Sequence, residues 1–343
     1  MPSKTSLKTI SRREFFRKLV LGAALIGLRK APLMGLTNPN PGPQESKLFY
    51  KHRHLSVNHF PELERDIDEL KQAGKLSDNP VYRSYIDNKH YTIPKDFPNA
   101  KFLIIVAVYT PLAYVNFHYD NKVYDIPIPP QYWDDGTTTE MVEDEIRKSI
   151  VRDKKYQVQR ASGMLLKRLG VRSGLSRYGR NNISYVEGMG SFLTLLACFT
   201  DFEFPQDHFQ DVQMMKSCRD CRICRTQCPN QCIRDDNFVI NAGRCVTLYN
   251  EIEGEFPDWM PRDAHNALMG CLKCQRYCPA NREVMQKAIR LADVSEAETR
   301  QFLLSEPDNE ICAVIAEKVK IPSLSESADS HSVFKRNLGV LIP

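Results

Sequence analysis

Long apolar runs are scarce in this sequence. The stretch Leu19-Val-Leu-Gly-Ala-Ala-Leu-Ile-Gly-Leu28 has ten residues, whereas a helix needs about 20 to cross a bilayer, so a stable membrane span is not expected. Strong charge bias is missing too. Lys and Arg number 47 against 42 Asp and Glu, part of the +5 excess lies in the first 30 residues, and no basic face is legible. Charge alone therefore does not argue for nucleic-acid binding. The hydrophobic fraction of 42% and the charged fraction of 26% are those of an ordinary globular protein, which excludes a disordered or membrane-embedded chain. At 343 residues there is material for one large domain or two ordinary ones. Cysteine, by contrast, is plentiful: there are 11, and nine fall between positions 218 and 278.

Their spacing carries the chemistry. Cys218-Arg-Asp-Cys221-Arg-Ile-Cys224-Arg-Thr-Gln-Cys228-Pro229 is C-x2-C-x2-C-x3-C-P, the run of bacterial two-cluster ferredoxins. Gly270-Cys271-Leu-Lys-Cys274-Gln-Arg-Tyr-Cys278-Pro279 repeats its end, one thiolate short, and Cys245 completes eight. Three thiolates two residues apart on a tight loop wrap three corners of one cubane, and the cysteine before the proline reaches the other cluster. Cys218, Cys221, Cys224 and Cys278 are thus assigned to one [4Fe–4S] cluster, and Cys228, Cys245, Cys271 and Cys274 to the other. Cys232, four residues after Cys228, can replace Cys245. A zinc ribbon would use four thiols and leave four, with two Cys-Pro steps, unexplained; disulfides would suit a small exported domain better. Cys198 lies on an apolar run and reads as core.

At the N-terminus, Ser11-Arg12-Arg13-Glu14-Phe15-Phe16-Arg17-Lys18 ahead of the apolar decapeptide reads as a twin-arginine signal over residues 1–36. Prolines 39, 41 and 43 mark a linker over 37–46. An α/β domain is expected over 47–210. In it, 61–73 reads as an amphipathic helix, 102–109 as a strand buried on both faces, 126–133 as a proline-rich loop and 140–170 as helix. The segment 174–199 reads as loop, short strand, glycine turn and second strand, its glycines allowing close approach of a neighbouring strand or a flat cofactor. A double-cluster module fills 211–290. Over 291–343 a helical tail is expected, opened by the capping box Ser295-Glu-Ala-Glu298.

With these pieces placed, the chain resembles the family of epoxyqueuosine reductases and reductive dehalogenases. The resemblance rests on the four-cysteine run with Pro229, on Gly243-Arg244-Cys245 and on Gly270-Cys271 through Pro279. Upstream it rests on Gly174-Leu175, Tyr178-Gly179-Arg180-Asn181, Gly190-Ser191-Phe192 and Thr200-Asp201. It implies a base-off cobalamin in the α/β domain, electrons entering through the distal cluster, and a reductive elimination completed by an acid side chain. Tyr178, Arg180 and Asn181 are the candidates for the cofactor side. The aspartate motif of epoxyqueuosine reductases is missing ahead of Leu165-Leu166-Lys167, as is their helical-repeat tail, and no catalytic residue is assigned.

The fold expected is an α/β (α+β) domain with a two-cluster bacterial ferredoxin-like module and a short helical C-terminal tail. The leading functional expectation is an exported, reductive-dehalogenase-like reductase passing electrons through two [4Fe–4S] clusters to a cobalamin and a small organic substrate. The expected partners are a redox protein supplying electrons and the twin-arginine translocase. Peripheral membrane association at the outer face of the cytoplasmic membrane or a periplasmic location goes with it, and no nucleic acid. Two alternatives are an electron-transfer protein without corrinoid and a cytoplasmic, epoxyqueuosine reductase-like enzyme of transfer-RNA modification.

Overall fold

The computed structural model describes residues 48–235, 238–304 and 308–342. The twin-arginine motif and the linker lie outside the described residues. Strand β1 (Tyr50–Ser56) leads into α1 (Phe60–Gln72) and α2 (Pro80–Asp87), then comes β2 (Phe102–Tyr109). Helix α1 begins with Pro61 in its first turn, buries Phe60, Leu63 and Ile67, and ends at Gly74 with φ +60°, as its amphipathic pattern predicts.

Strand β2 is the centre of a four-stranded sheet ordered β1-β2-β8-β5, with β8 at Leu193–Thr200 and β5 at Val158–Arg160. It pairs antiparallel on both sides, Tyr50 opposite Val108 on one and Phe102 opposite Thr200 on the other. Its unbroken apolar run has a simple cause: both faces are covered. Leu103, Ile105 and Ala107 pack with Phe60, Leu63 and Leu169. Ile104, Val106 and Val108 pack with Val142 and Ile146. Each such aliphatic side chain contributes roughly 1.5–3 kcal/mol of burial. The sheet is antiparallel throughout, so the continuous run marks a centre strand under two layers rather than a parallel one.

A second sheet, ordered β4-β3-β9, is built on the hairpin of β3 (Ala113–Tyr119) and β4 (Lys122–Ile128), with β9 (Ile289–Arg290) parallel to β3. This corrects the loop expected from residue 126. Pro127 lies opposite Tyr114 on an edge strand, where a missing N–H costs no ladder bond. The helix expected over 140–170 is also revised. Helix α3 (Thr139–Glu145) continues as one wider turn to Val151, Arg152 turns left-handed at φ 65°, β5 joins β8, and helix resumes as α4 (Leu166–Arg172). Sheet pairing at Val158 overrides the helical pattern.

A small hairpin follows, β6 (Arg177–Tyr178) with β7 (Ser184–Tyr185). Beyond it lie the short helices α5 (Ile223–Thr226), α6 (Val246–Asn250), α7 (Lys273–Arg276) and α8 (Arg282–Met285). The C-terminal part forms α9 (Glu296–Leu304), α10 (Asn309–Val319) and α11 (Ala328–Leu341). The capping box is present: Ser295 N donates to Glu298 Oε2 at 2.7 Å and Glu298 N to Ser295 Oγ at 3.4 Å. These helices are not an appendage. Phe302, Ile315, Phe334 and Leu338 share one core with Val115, Phe117 and Ile128 of the β3–β4 hairpin. Among the described residues no helix is long and apolar enough to cross a membrane.

Candidate metal centre

Chain folding gathers the cysteines into two groups. Burial pushes the Cys224 thiol up to about 11, and the neighbouring Cys218, Cys278 and Cys221 add to the rise. Cys271 is pushed up to about 12, first by burial and then by Cys245. Cys274 rises by burial and then through Cys271, Cys245 and Cys228. Thus Cys278 joins the first loop and Cys228 the second. Cys232 Sγ lies 3.3 Å from Cys228 Sγ. Its hydrogen bonds to Cys228 and Cys245 lower both thiols, Cys228 to about 6. Among the described residues no group of His, Cys, Asp or Glu is arranged to hold a single metal ion, which with bonds of about 2.3 Å would draw sulfurs to within about 4 Å of one another. Cys198 is fully buried on β8, opposite Ile104 of β2.

The segment between β6 and β7 holds both loops. Arg180, 5% exposed, donates from Nη2 to Cys218 O at 2.6 Å and Arg219 O at 3.2 Å, from Nε to Cys221 O at 3.1 Å, and from Nη1 to Asp235 O at 2.8 Å. One planar guanidinium thereby sets three carbonyls of the first loop and that of Asp235 beyond it, which a lysine ammonium could not do. The next residue turns the other way. Asn181 Nδ2 donates to Cys274 O at 3.3 Å and to Tyr185 Oη at 2.9 Å. Gly179 permits this fold-back, because a Cβ there would stand 2.5 Å from both Asn181 Oδ1 and the Tyr185 ring. Tyr178 stacks on Phe238 at 4.6 Å, and its carbonyl accepts from Met215 N at 2.9 Å, anchoring the approach to Cys218.

Tyr178, Arg180 and Asn181 are therefore buried, and the polar contacts of the last two run to the cysteine loops. They do not fit a grip on a corrinoid. The close approach that the glycines allow is to protein: Gly190, at φ +56°, lies against Asn281 and Ala280 O.

A buried amide network, which the sequence did not mark, supports the second loop. Asn281 Oδ1 accepts from Ser191 N at 2.8 Å while its Nδ2 donates to Ser191 Oγ at 2.8 Å and Gln275 O at 3.0 Å. Asn250 Nδ2 donates to Gly270 O at 2.9 Å, and Asn337 on α11 donates to Asn250 O at 2.9 Å and Leu268 O at 3.0 Å. His265 Nδ1 meets Asn250 Oδ1 at 3.1 Å. The one available signal was Ser191, in the Gly190-Ser191-Phe192 match. Single asparagines carry no periodicity.

A family model described as a 4Fe-4S double cluster binding domain matches residues 217–281. Residues 217–281 are a 4Fe–4S binding domain. Over about a third of the chain, curated relatives include epoxyqueuosine reductases. That of Staphylococcus aureus is 30% identical over 113 residues, 33% of this chain and 28% of that protein. The Escherichia coli protein is 32% identical over 115 residues, 33% of this chain and 29% of that protein. The matched segment is thus under a third of either relative's length. The fold likeness is wider. Epoxyqueuosine reductase from Streptococcus thermophilus superposes with a TM-score of 0.57 at 19% identity, over 85% of this chain and 76% of its own. For the Bacillus subtilis enzyme the TM-score is 0.59 at 18% identity, over 85% and 77%. For an epoxyqueuosine reductase solved with a modified tRNA-Tyr stem loop it is 0.58 at 17%, over 85% and 76%.

Two expectations are corrected by these likenesses. The exported, reductive-dehalogenase-like reading gives way, because the proteins alike in both sequence and fold are epoxyqueuosine reductases. The expectation of no nucleic-acid partner also falls, because a neighbour of the same fold was solved with a tRNA stem loop.

Proposed function

We propose that the chain is an iron–sulfur reductase of the epoxyqueuosine reductase type, acting on a modified nucleoside in transfer RNA. One observation carries this reading: the crossed grouping of cysteines, Cys278 with the first loop and Cys228 with the second, lies in the 4Fe–4S domain of a chain whose curated relatives are epoxyqueuosine reductases. The donor set fits two [4Fe–4S] clusters. Cys218, Cys221, Cys224 and Cys278 would hold one, and Cys228, Cys245, Cys271 and Cys274 the other, all thiolates as such clusters require. When bound, the clusters supply one-electron relay chemistry.

The chain's own residues do the positioning. Arg180 fixes the carbonyls of the first loop and places a positive charge beside a site that gathers negative thiolates. Asn181 and Asn281 fix the second. Converting an epoxide to an alkene and water consumes two electrons and two protons, which matches a pair of one-electron centres. The reading places the protein in the cytoplasm, where transfer RNA is. Tyr178, Arg180 and Asn181 are engaged with the protein itself and offer no grip on a corrinoid.

The test is expression in a bacterial host deleted for its own epoxyqueuosine reductase, with nucleosides from total tRNA analysed by mass spectrometry. Queuosine should reappear at the expense of epoxyqueuosine, and Cys274→Ser should abolish this. Persistent epoxyqueuosine beside soluble, iron-loaded protein refutes the substrate assignment.

A further inference from the structure

The surface over the first cysteine loop has a composition unlike the rest of the chain. Residues 216–228 and 273–287 carry eight Lys and Arg against two acids, Asp220 and Glu283. The chain as a whole has a net charge of only +5. Arg222 and Arg225 share the carboxylate of Asp235, at 2.9 and 2.6 Å. Arg219, Arg276 and Arg282 are exposed. Between the charges stand two large apolar side chains in solvent, Ile223 at 38% and Tyr277 at 53% exposure. Each precedes a cysteine of the same group, Cys224 and Cys278, on or beside the helices α5 and α7, which pack against each other.

We infer that this face is the docking site of an acidic one-electron carrier protein, seated on Ile223 and Tyr277 and steered by Arg219, Arg276 and Arg282. The inference rests on the two-cluster reading above and says where electrons enter. An apolar centre inside a predominantly basic rim is the build of a small, transient protein interface, in which charge sets the encounter rate more than the affinity. A phosphate backbone would make use of the arginines but not of Ile223. Entry here also puts the carrier next to Cys224 and Cys278, leaving a short path to the cluster they would hold.

The test uses iron-loaded protein and its Arg219→Glu/Arg276→Glu/Arg282→Glu variant, with bleaching of the cluster absorbance followed by stopped flow. The donor is a reduced flavodoxin, an acidic flavoprotein; photoreduced 5-deazariboflavin, small and uncharged, is the control. The expected result is a fall of at least about tenfold in the flavodoxin rate at low salt that shrinks at high salt. Iron content and the deazariboflavin rate should not change. Ile223→Ser with Tyr277→Ser should slow flavodoxin at every salt concentration. An unchanged flavodoxin rate in the charge variant overturns the proposal, as does wild-type protein that flavodoxin does not reduce. Loss of binding to a tRNA stem loop with the flavodoxin rate intact would instead mark a nucleic-acid face. Failure of the tRNA modification test with this electron entry intact would remove the substrate and leave the docking face standing. Iron-free wild-type protein would remove the cluster reading and this inference together.

Discussion

Arg180 and Asn181 are neighbours in the chain, yet they hold the two cysteine loops by different physics. The first loop hangs on one cation with four carbonyl partners. The second is carried by neutral amides, Asn181, Gln275, Asn281, Asn250 and Asn337, spread over the hairpin, the loop itself and the C-terminal helix. A single charged clamp is strong and brittle, because its loss strands several carbonyls at once. A distributed network degrades in steps. The exposed arginine rim draws on both loops, Arg219 from the first and Arg276 and Arg282 from the second, whereas only the loop with the amides is tied to α11 and so to the core under β3.

The sharpest way to break this contrast is Arg180→Ala. Four carbonyls lose their charged donor, at a cost on the order of 4 kcal/mol, and iron per chain should fall by about half as the first set fails. Arg180→Lys should not restore it. Full iron in both variants, read by chemical analysis after anaerobic purification, would show that the clamp is dispensable.

Asn281→Ala should cost less, about 2–3 kcal/mol in chemical unfolding of the apo-protein, with iron largely retained because the other amides remain. An iron loss as large as that of Arg180→Ala would erase the distinction between the loops.

Acid should also report on the amide network. His265, in the amide network, is depressed to about 4 by burial and then by Arg336 and Arg262, from an ordinary 6.5. Since the unfolded chain binds that proton more readily, the contribution is whole above about pH 6.5 and is lost as pH falls toward 4. His54, against Phe204 by the first sheet, is likewise depressed to about 4, by burial and then by His208. His265→Gln should therefore flatten the acid limb of unfolding by about 1–3 kcal/mol while leaving the part due to His54. An unchanged pH profile would mean that His265 does not couple to folding.

The smallest effect is expected at Cys232. It touches Cys228 yet is not in the proposed ligand set, so Cys232→Ala should leave iron unchanged while Cys245→Ala removes about half. The reverse outcome would exchange the two residues.

Much of the fold was legible where pattern and environment agree. The run from Phe102 to Tyr109 implied a doubly covered strand, and Ser295 with Glu298 implied a helix start; both are present. Residues 126–128 and 158–160 were misread, because an edge position excuses Pro127 and a pairing with β8 recruits Val158. Neither fact is local. At the centre, cysteine spacing implied two sets of four before any coordinates. Arg180 and Asn181 were candidates for the cofactor side, and their polar contacts run to the cysteine loops.

Sequence alone determined the donor chemistry, because thiolate spacing on a tight loop is a local matter set by a few bonds. Tertiary structure alone decided what holds those loops. Arg180 reaches Cys218 and Asp235 across 38 and 55 residues, and Asn337 reaches Leu268 across 69. Contacts at such separations depend on how the sheets and helices pack, and no periodicity along the chain encodes them.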